Sequence, residues 1–183
     1  MKTHNVQHMV MTAALLALTA VFQYLRFLPV DVNISVYLIG TLVNLCLILA
    51  AGLIGLWSGL AISVAAPLVA LAQGYAKLPL LPYLIIGNAV LVIIYSLWAI
   101  PGFRKSGRMR FGPWAVSGVL AAVVKFLIIA AGMALMLSSQ KGAPYLTMLT
   151  AGAIQQIQQL VTAVLAMVVS YLVLPKVKKA ARL

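Results

Sequence analysis

Few side chains in this 183-residue chain could carry out chemistry: one Asp (Asp31), no Glu, one Cys (Cys46), two His (His4 and His8), and Lys125 inside an apolar run. Membrane-embedded catalysis calls for carboxylate pairs, metal ligands or an activated nucleophile, and this stock does not assemble them. His4 and His8 are four apart and could share a helical face. No Cys or carboxylate stands beside them, so no metal site is expected. There is no GxxxxGK[ST] phosphate loop either, so ATP hydrolysis by that route is excluded for this chain. Cys46 lies in an apolar stretch, admits no internal disulfide, and reads as a small core residue. No catalytic residue and no cofactor are expected. Proton or sodium coupling through buried carboxylates is poorly supported, because no span centre carries Asp or Glu.

Lys125 is the exception that needs a reason. It sits in a run of 24 residues, Trp114 to Leu137, whose only other polar side chain is Ser117. A Lys at a helix centre costs about 2.5 to 3.5 kcal/mol on insertion scales, so it usually faces a protein interior or a wet cavity and has a partner. Three answers are open: Asp31 reaches it, the amine is partly neutral, or a ligand supplies the partner. The other intramembrane polar groups are amides and hydroxyls: Gln23, Asn44, Asn88, Gln155, Gln156, Gln158, Gln159 and Thr162.

The elements that must position these groups follow from composition. Hydrophobic residues make up 64% of the chain and charged ones 8%, which fits an all-α integral membrane protein. The net charge of +12 is carried in short clusters between apolar runs, which argues for topology determinants and against nucleic acid. Six transmembrane helices are expected, near residues 9–28, 36–54, 59–73, 83–100, 114–137 and 146–174, in one domain spanning 1–183. The first resembles a secretory signal but continues past one, and reads as an uncleaved span. The 37 uncharged residues Val36–Ala72 must fold back, with the break at Gly55, Trp57, Ser58 and Gly59. The third span is short and carries Pro67, which is tolerated where neighbours or a cavity satisfy the freed backbone. The stretch PGFRKSGRMRFGP reads as the most hydrophilic linker.

Six spans put both termini on one side. That side then carries Lys2, Arg104, Lys105, Arg108, Arg110, Lys176, Lys178, Lys179 and Arg182, while the other carries Arg26, Lys77 and Lys141. Nine against three predicts cytoplasmic termini.

Counting helical rise from the outer ends puts Asn88 roughly 8 Å deep, Asn44 and Gln155 about 12 to 14 Å, and Lys125 and Gln159 about 18 to 20 Å. Asp31 falls in the outer loop, roughly 18 Å from Lys125 by the same measure, so a direct pair needs a deeply dipping loop. Gln155, Gln159 and Thr162 follow i, i+4, i+7 spacing and are expected on one face. Interhelical hydrogen bonding at about 0.6 kcal/mol each accounts for any single amide. Five polar residues in eight positions exceed that need and, with Lys125, suggest a ligand site. Tyr24, Phe27, Tyr37, Tyr75, Tyr83 and Tyr145 near the outer ends read first as an interfacial aromatic belt.

The segments MVMTAALLALTAVFQYLR, IGTLVNLCLILAAGLIGLWSGLAISVAAPLVALAQGY, LPYLIIGNAVLV and QQLVTAVLAMVVSYL resemble the substrate-binding S component of energy-coupling factor (ECF) transporters, in a group of unspecified substrate. The resemblance implies an S-component-like bundle that captures a vitamin or related micronutrient from outside and works with a transmembrane T component and two ATPase subunits. It also implies that small residues four apart in the first helix, here Ala13 and Ala17, form the T-component docking surface. No residue set matches the thiamine, riboflavin or biotin members. Within this reading Lys125 receives a carboxylate or other acceptor of the substrate, and Asn44, Asn88, Gln155, Gln159 and Thr162 complete the site. The competing readings are an autonomous permease and a structural subunit whose polar residues are only glue.

Overall fold

The computed structural model describes residues 2–25 and 31–180, with the side chains of 2–5 and 32–33 left out of the description. Arg26, Phe27, Leu28, Pro29 and Arg182, and the side chains of Lys2 and His4, therefore lie outside the described residues, including the expected end of the first span. Every regular element among the described residues is helical: α1 Lys2–Tyr24, α2 Val32–Leu49, α3 Leu56–Ala72, α4 Leu81–Trp98, α5 Ile100–Ser106, α6 Phe111–Lys141 and α7 Tyr145–Ala180. A π-helical turn, Ala50–Ile54, follows α2, and a 3₁₀ turn, Leu78–Leu80, precedes α4.

Five stretches are long and apolar enough to cross a membrane: Val6–Tyr24, Ile34–Ile54, Leu78–Trp98, Phe111–Lys141 and Tyr145–Ala180. This is consistent with a helical, multi-pass membrane protein. The sixth expected span is the 17-residue α3, about 26 Å long at 1.5 Å per residue and so shorter than a hydrocarbon core of about 30 Å.

Helix packing closes a ring in the order α2, α3, α4, α6, α7 and back to α2, with α1 laid on α2 and α3. Small residues allow the close approaches. A Cβ on Gly152 of α7 would stand 2.7 Å from the Ala130 carbonyl oxygen of α6, and one on Gly59 of α3 would stand 2.7 Å from Val92 of α4. Gly59 is thus a packing residue inside α3. Of the four residues expected to break the run, only Gly55 interrupts it, while Trp57, Ser58 and Gly59 are helical. The expected hydrophilic linker also contains a helix, α5, which ends at Gly107 in the left-handed conformation (φ 69°).

The bundle has two distinct ends. At one, Ser58 Oγ donates to Thr12 Oγ1 at 2.8 Å, since the Thr12 hydroxyl itself donates to the His8 carbonyl, while Arg104 Nη2 donates to the Ala51 carbonyl of the π-turn at 3.0 Å and Lys178 Nζ donates to the Arg104 carbonyl at 3.0 Å. This end gathers the loops rich in Arg and Lys. Between it and the middle lies the main apolar core, including Leu47, Ile62, Leu91, Val92, Tyr95, Phe103 and Leu174. A second, smaller cluster around Leu80, Ile129, Met133 and Leu137 packs the α6–α7 hairpin against the start of α4 at the opposite end.

Candidate functional site

A cavity of about 380 Å³ opens between the helices toward the end opposite the basic one. Its size lies within the roughly 300 to 1,000 Å³ of small-molecule sites. Polar groups from five helices reach it: Gln23 of α1, Asn44 of α2, Asn88 of α4, Lys125 of α6, and Gln156, Gln158, Gln159 and Thr162 of α7. Ile39, Val43, Pro67, Leu84 and Met133 supply apolar walls, and Tyr75 and Lys77, exposed in the loop after α3, stand at the rim.

Lys125 is only 2% exposed. Gly87 of α4 makes room for its stem, since a Cβ there would lie 3.3 Å from Lys125 Cγ and 3.0 Å from Ile129. Its ammonium donates to Asn44 Oδ1 at 2.5 Å, Asn44 Nδ2 donates to Thr162 Oγ1 at 3.2 Å, and Thr162 Oγ1 donates to the Gln159 carbonyl at 3.3 Å. This chain ties α6, α2 and α7 together at one level. Gly40 permits it, because any Cβ there would meet Thr162 Cγ2 at 2.8 Å and hold α2 away from α7.

The partner of Lys125 is therefore a neutral amide of the same chain, which none of the three sequence alternatives named. Lys125 forms no ion pair among the described residues. Asp31 instead immediately precedes α2, where its Oδ1 accepts from the Ile34 backbone N–H at 3.4 Å. An ammonium has three donors, and one is used here. A neutral acceptor leaves the charge itself without compensation in a buried setting.

The second unbalanced group is Gln23, 3% exposed. Its Nε2 donates to the Ala66 carbonyl at 2.9 Å, while its buried Oε1 has no hydrogen-bond partner. Two residues that line the cavity are thus left with unused capacity, donors on Lys125 and the buried Oε1 acceptor on Gln23.

Of the sequence-derived candidates, Lys125, Asn44, Asn88, Gln159 and Thr162 line this one cavity. Gln155 does not: it is exposed and absent from the lining, and the buried amide is its neighbour Gln156. Helical spacing correctly puts Gln155 near the azimuth of Thr162, but it lies two turns away along the axis. There the covered face of α7 is the one toward α6, fixed by Gly152 against Ala130 and Ala134, and Gln156 follows Gly152 by four residues. Gln156 and Gln158 belong to the polar cluster expected in this span but not to the contact residues picked from it, while Gln23 and Lys77 are additions from the structure. Gln23 was visible as an intramembrane amide, but its pairing with α3 was not. Ala13 and Ala17 are exposed on α1, the least buried of the five long apolar helices. His8 lies on α1 outside this cavity, and no group of three or more potential metal-ligating side chains occurs among the described residues.

Comparison of the chain with protein-family models, with curated proteins and with solved structures finds no match.

Proposed function

We propose that this chain is the membrane-embedded substrate-binding subunit of an ATP-driven micronutrient uptake transporter, of the ECF S-component kind, working with a separate T component and two ATPase subunits. The observation that carries the reading is a small-molecule-sized cavity holding both a buried ammonium with spare donors and a buried amide oxygen with no partner. Buried polar groups are normally satisfied, so a pocket that leaves both kinds open is complementary to a ligand with an acceptor at one point and a donor at another. The acceptor, a carboxylate or similar group, meets Lys125, and an N–H or O–H meets Gln23. Asn88, Gln156 and Gln159 supply further polar contacts, with Tyr75 and Lys77 at the entrance.

In this reading α3 is a short sixth span whose Pro67 faces the cavity. The basic end is cytoplasmic by its excess of Lys and Arg, and the cavity faces outward in a plasma membrane. Ala13 and Ala17 belong to the surface on which the T component docks, and small residues there permit close helix approach. The internal Lys125–Asn44–Thr162 bonds favour one competing reading, a structural subunit that binds nothing.

Native mass spectrometry of the purified chain separates the two. The expected result is one small molecule per chain, bearing an acceptor or acid group and an exchangeable N–H or O–H. Absence of any bound small molecule, even after incubation with cell extract, supports the structural subunit and overturns the proposal. Transport by the chain alone in liposomes would instead identify an autonomous permease.

A further inference from the structure

The basic end carries a separate feature that substrate binding does not use. The chain's single acidic side chain, Asp31, lies just before α2, at the cavity end, so the cations of α5, the following loop and the end of α7 have no side-chain carboxylate beside them among the described residues. The fold holds them in a fixed array. Lys178 docks the end of α7 on α5 through the Arg104 carbonyl, and Arg104 is itself engaged with the π-turn. Ser106 Oγ donates to the Gly102 carbonyl at 2.9 Å and accepts from the Arg108 N–H at 3.3 Å, closing the turn at Gly107. Met109 is buried, pinning the loop between two exposed arginines. Arg110 folds back over α5, its Cδ 3.7 Å from where a Cβ on Gly102 would stand.

Arg104 and Lys178 thus serve the backbone, and the side chains of Lys105, Arg108, Arg110, Lys176 and Lys179 remain exposed without a hydrogen bond or ion pair among the described residues. Two exposed aromatics bracket the linker, Trp98 at 52% and Phe111 at 67%. Such side chains sit at the headgroup level of a bilayer. The apolar stretches of α4 and α6 end at Trp98 and begin at Phe111, so Arg108 and Arg110 lie within a few residues of the hydrocarbon boundary.

We infer that this array is a binding site for the phosphate of anionic lipid headgroups. Cations already displayed at headgroup depth, with no acidic side chain beside them among the described residues and flanked by interfacial aromatics, fit a phosphodiester in the leaflet better than the acidic face of a protein approaching from the water. Attraction of anionic lipid amounts to about fivefold per surface cation, at about 1 kcal/mol each.

The test is native mass spectrometry of the full chain in neutral detergent supplied with equal phosphatidylglycerol and phosphatidylcholine. Wild type is expected to retain phosphatidylglycerol at least about tenfold over phosphatidylcholine, falling with added salt. The Lys105→Gln/Arg108→Gln/Arg110→Gln variant should lose most of that preference, and Lys141→Gln, at the other end, should keep it. If the triple variant does not fold, Lys176→Gln/Lys179→Gln provides the same reading with a smaller drop, up to about fivefold per cation removed. Millimolar inorganic phosphate should not displace the lipid; displacement would point to free phosphate as the ligand and overturn the headgroup assignment. Equal retention of the two lipids by wild type, or unchanged preference in the variants, overturns the proposal. So does protection of these lysines from labelling only by an acidic protein.

Discussion

The two halves of the bundle handle buried polar groups in opposite ways. Toward the basic end the polar groups joining α4, α6 and α7 are closed by the protein, and Ser96 Oγ is the one buried side-chain atom there left without a partner among the described residues. Ser170 Oγ donates to the Met167 carbonyl at 2.7 Å, which makes Tyr95 the donor in its 2.9 Å bond to Ser170, and Trp114 Nε1 donates to the same Met167 carbonyl at 3.2 Å. Trp114 also packs on Tyr171 with ring centroids 4.7 Å apart. Toward the cavity, Lys125 has one neutral partner and Gln23 Oε1 has none. Similar residue types are therefore satisfied between helices in one half and left with spare hydrogen-bonding capacity beside a cavity in the other. The contrast teaches that polarity inside a span does not by itself indicate a ligand site; unsatisfied polarity beside a cavity does.

Substitutions can break or sharpen this contrast. The largest effect is expected at Lys125: Lys125→Met should cost about 2 to 5 kcal/mol of ligand binding, the range for removing one side of a buried charged hydrogen bond, while the protein stays folded. A binding titration with the co-purified ligand checks it. Next, Gly152→Leu should force α6 and α7 apart, because its Cβ alone already meets backbone. Overpacking of this kind costs about 1 to 3 kcal/mol, and thermal unfolding in detergent should show the loss. Tyr95→Phe in the closed half removes one interhelical bond and should lower stability by about 0.6 kcal/mol without altering ligand affinity. The smallest effect belongs to Gln155→Ala, which should leave stability within about 0.5 kcal/mol and binding unchanged. A Gln156→Ala variant measured beside it should weaken binding. Equal behaviour of the two would erase the distinction between the faces of α7.

Much of this was legible in the sequence because hydrocarbon imposes strict rules. Long uncharged runs become helices, and a lone Lys among them demands a partner, so the helical membrane class and the importance of Lys125 follow from composition and spacing. Other features depend on neighbours that one helix does not specify. Periodicity gave the azimuth of Gln155 but not which helix is present at its height, so the buried amide is Gln156. Gly59 reads as a breaker by type yet serves close packing against Val92. Counting rise along separate helices put Asn44 shallower than Lys125, whereas the flexible lysine stem and the gap at Gly87 bring the two into direct contact. The orphan oxygen of Gln23 becomes visible only once α1 lies on α3, with its amide nitrogen committed to Ala66.

The central proposal is that Lys125 is held for a ligand rather than for the fold. Its most direct test is native mass spectrometry of wild type, Lys125→Met and Tyr95→Phe purified side by side, with thermal unfolding of each. The account predicts bound ligand in wild type and in Tyr95→Phe, none in Lys125→Met, and Lys125→Met still folded. Ligand retained at wild-type occupancy by folded Lys125→Met would contradict it.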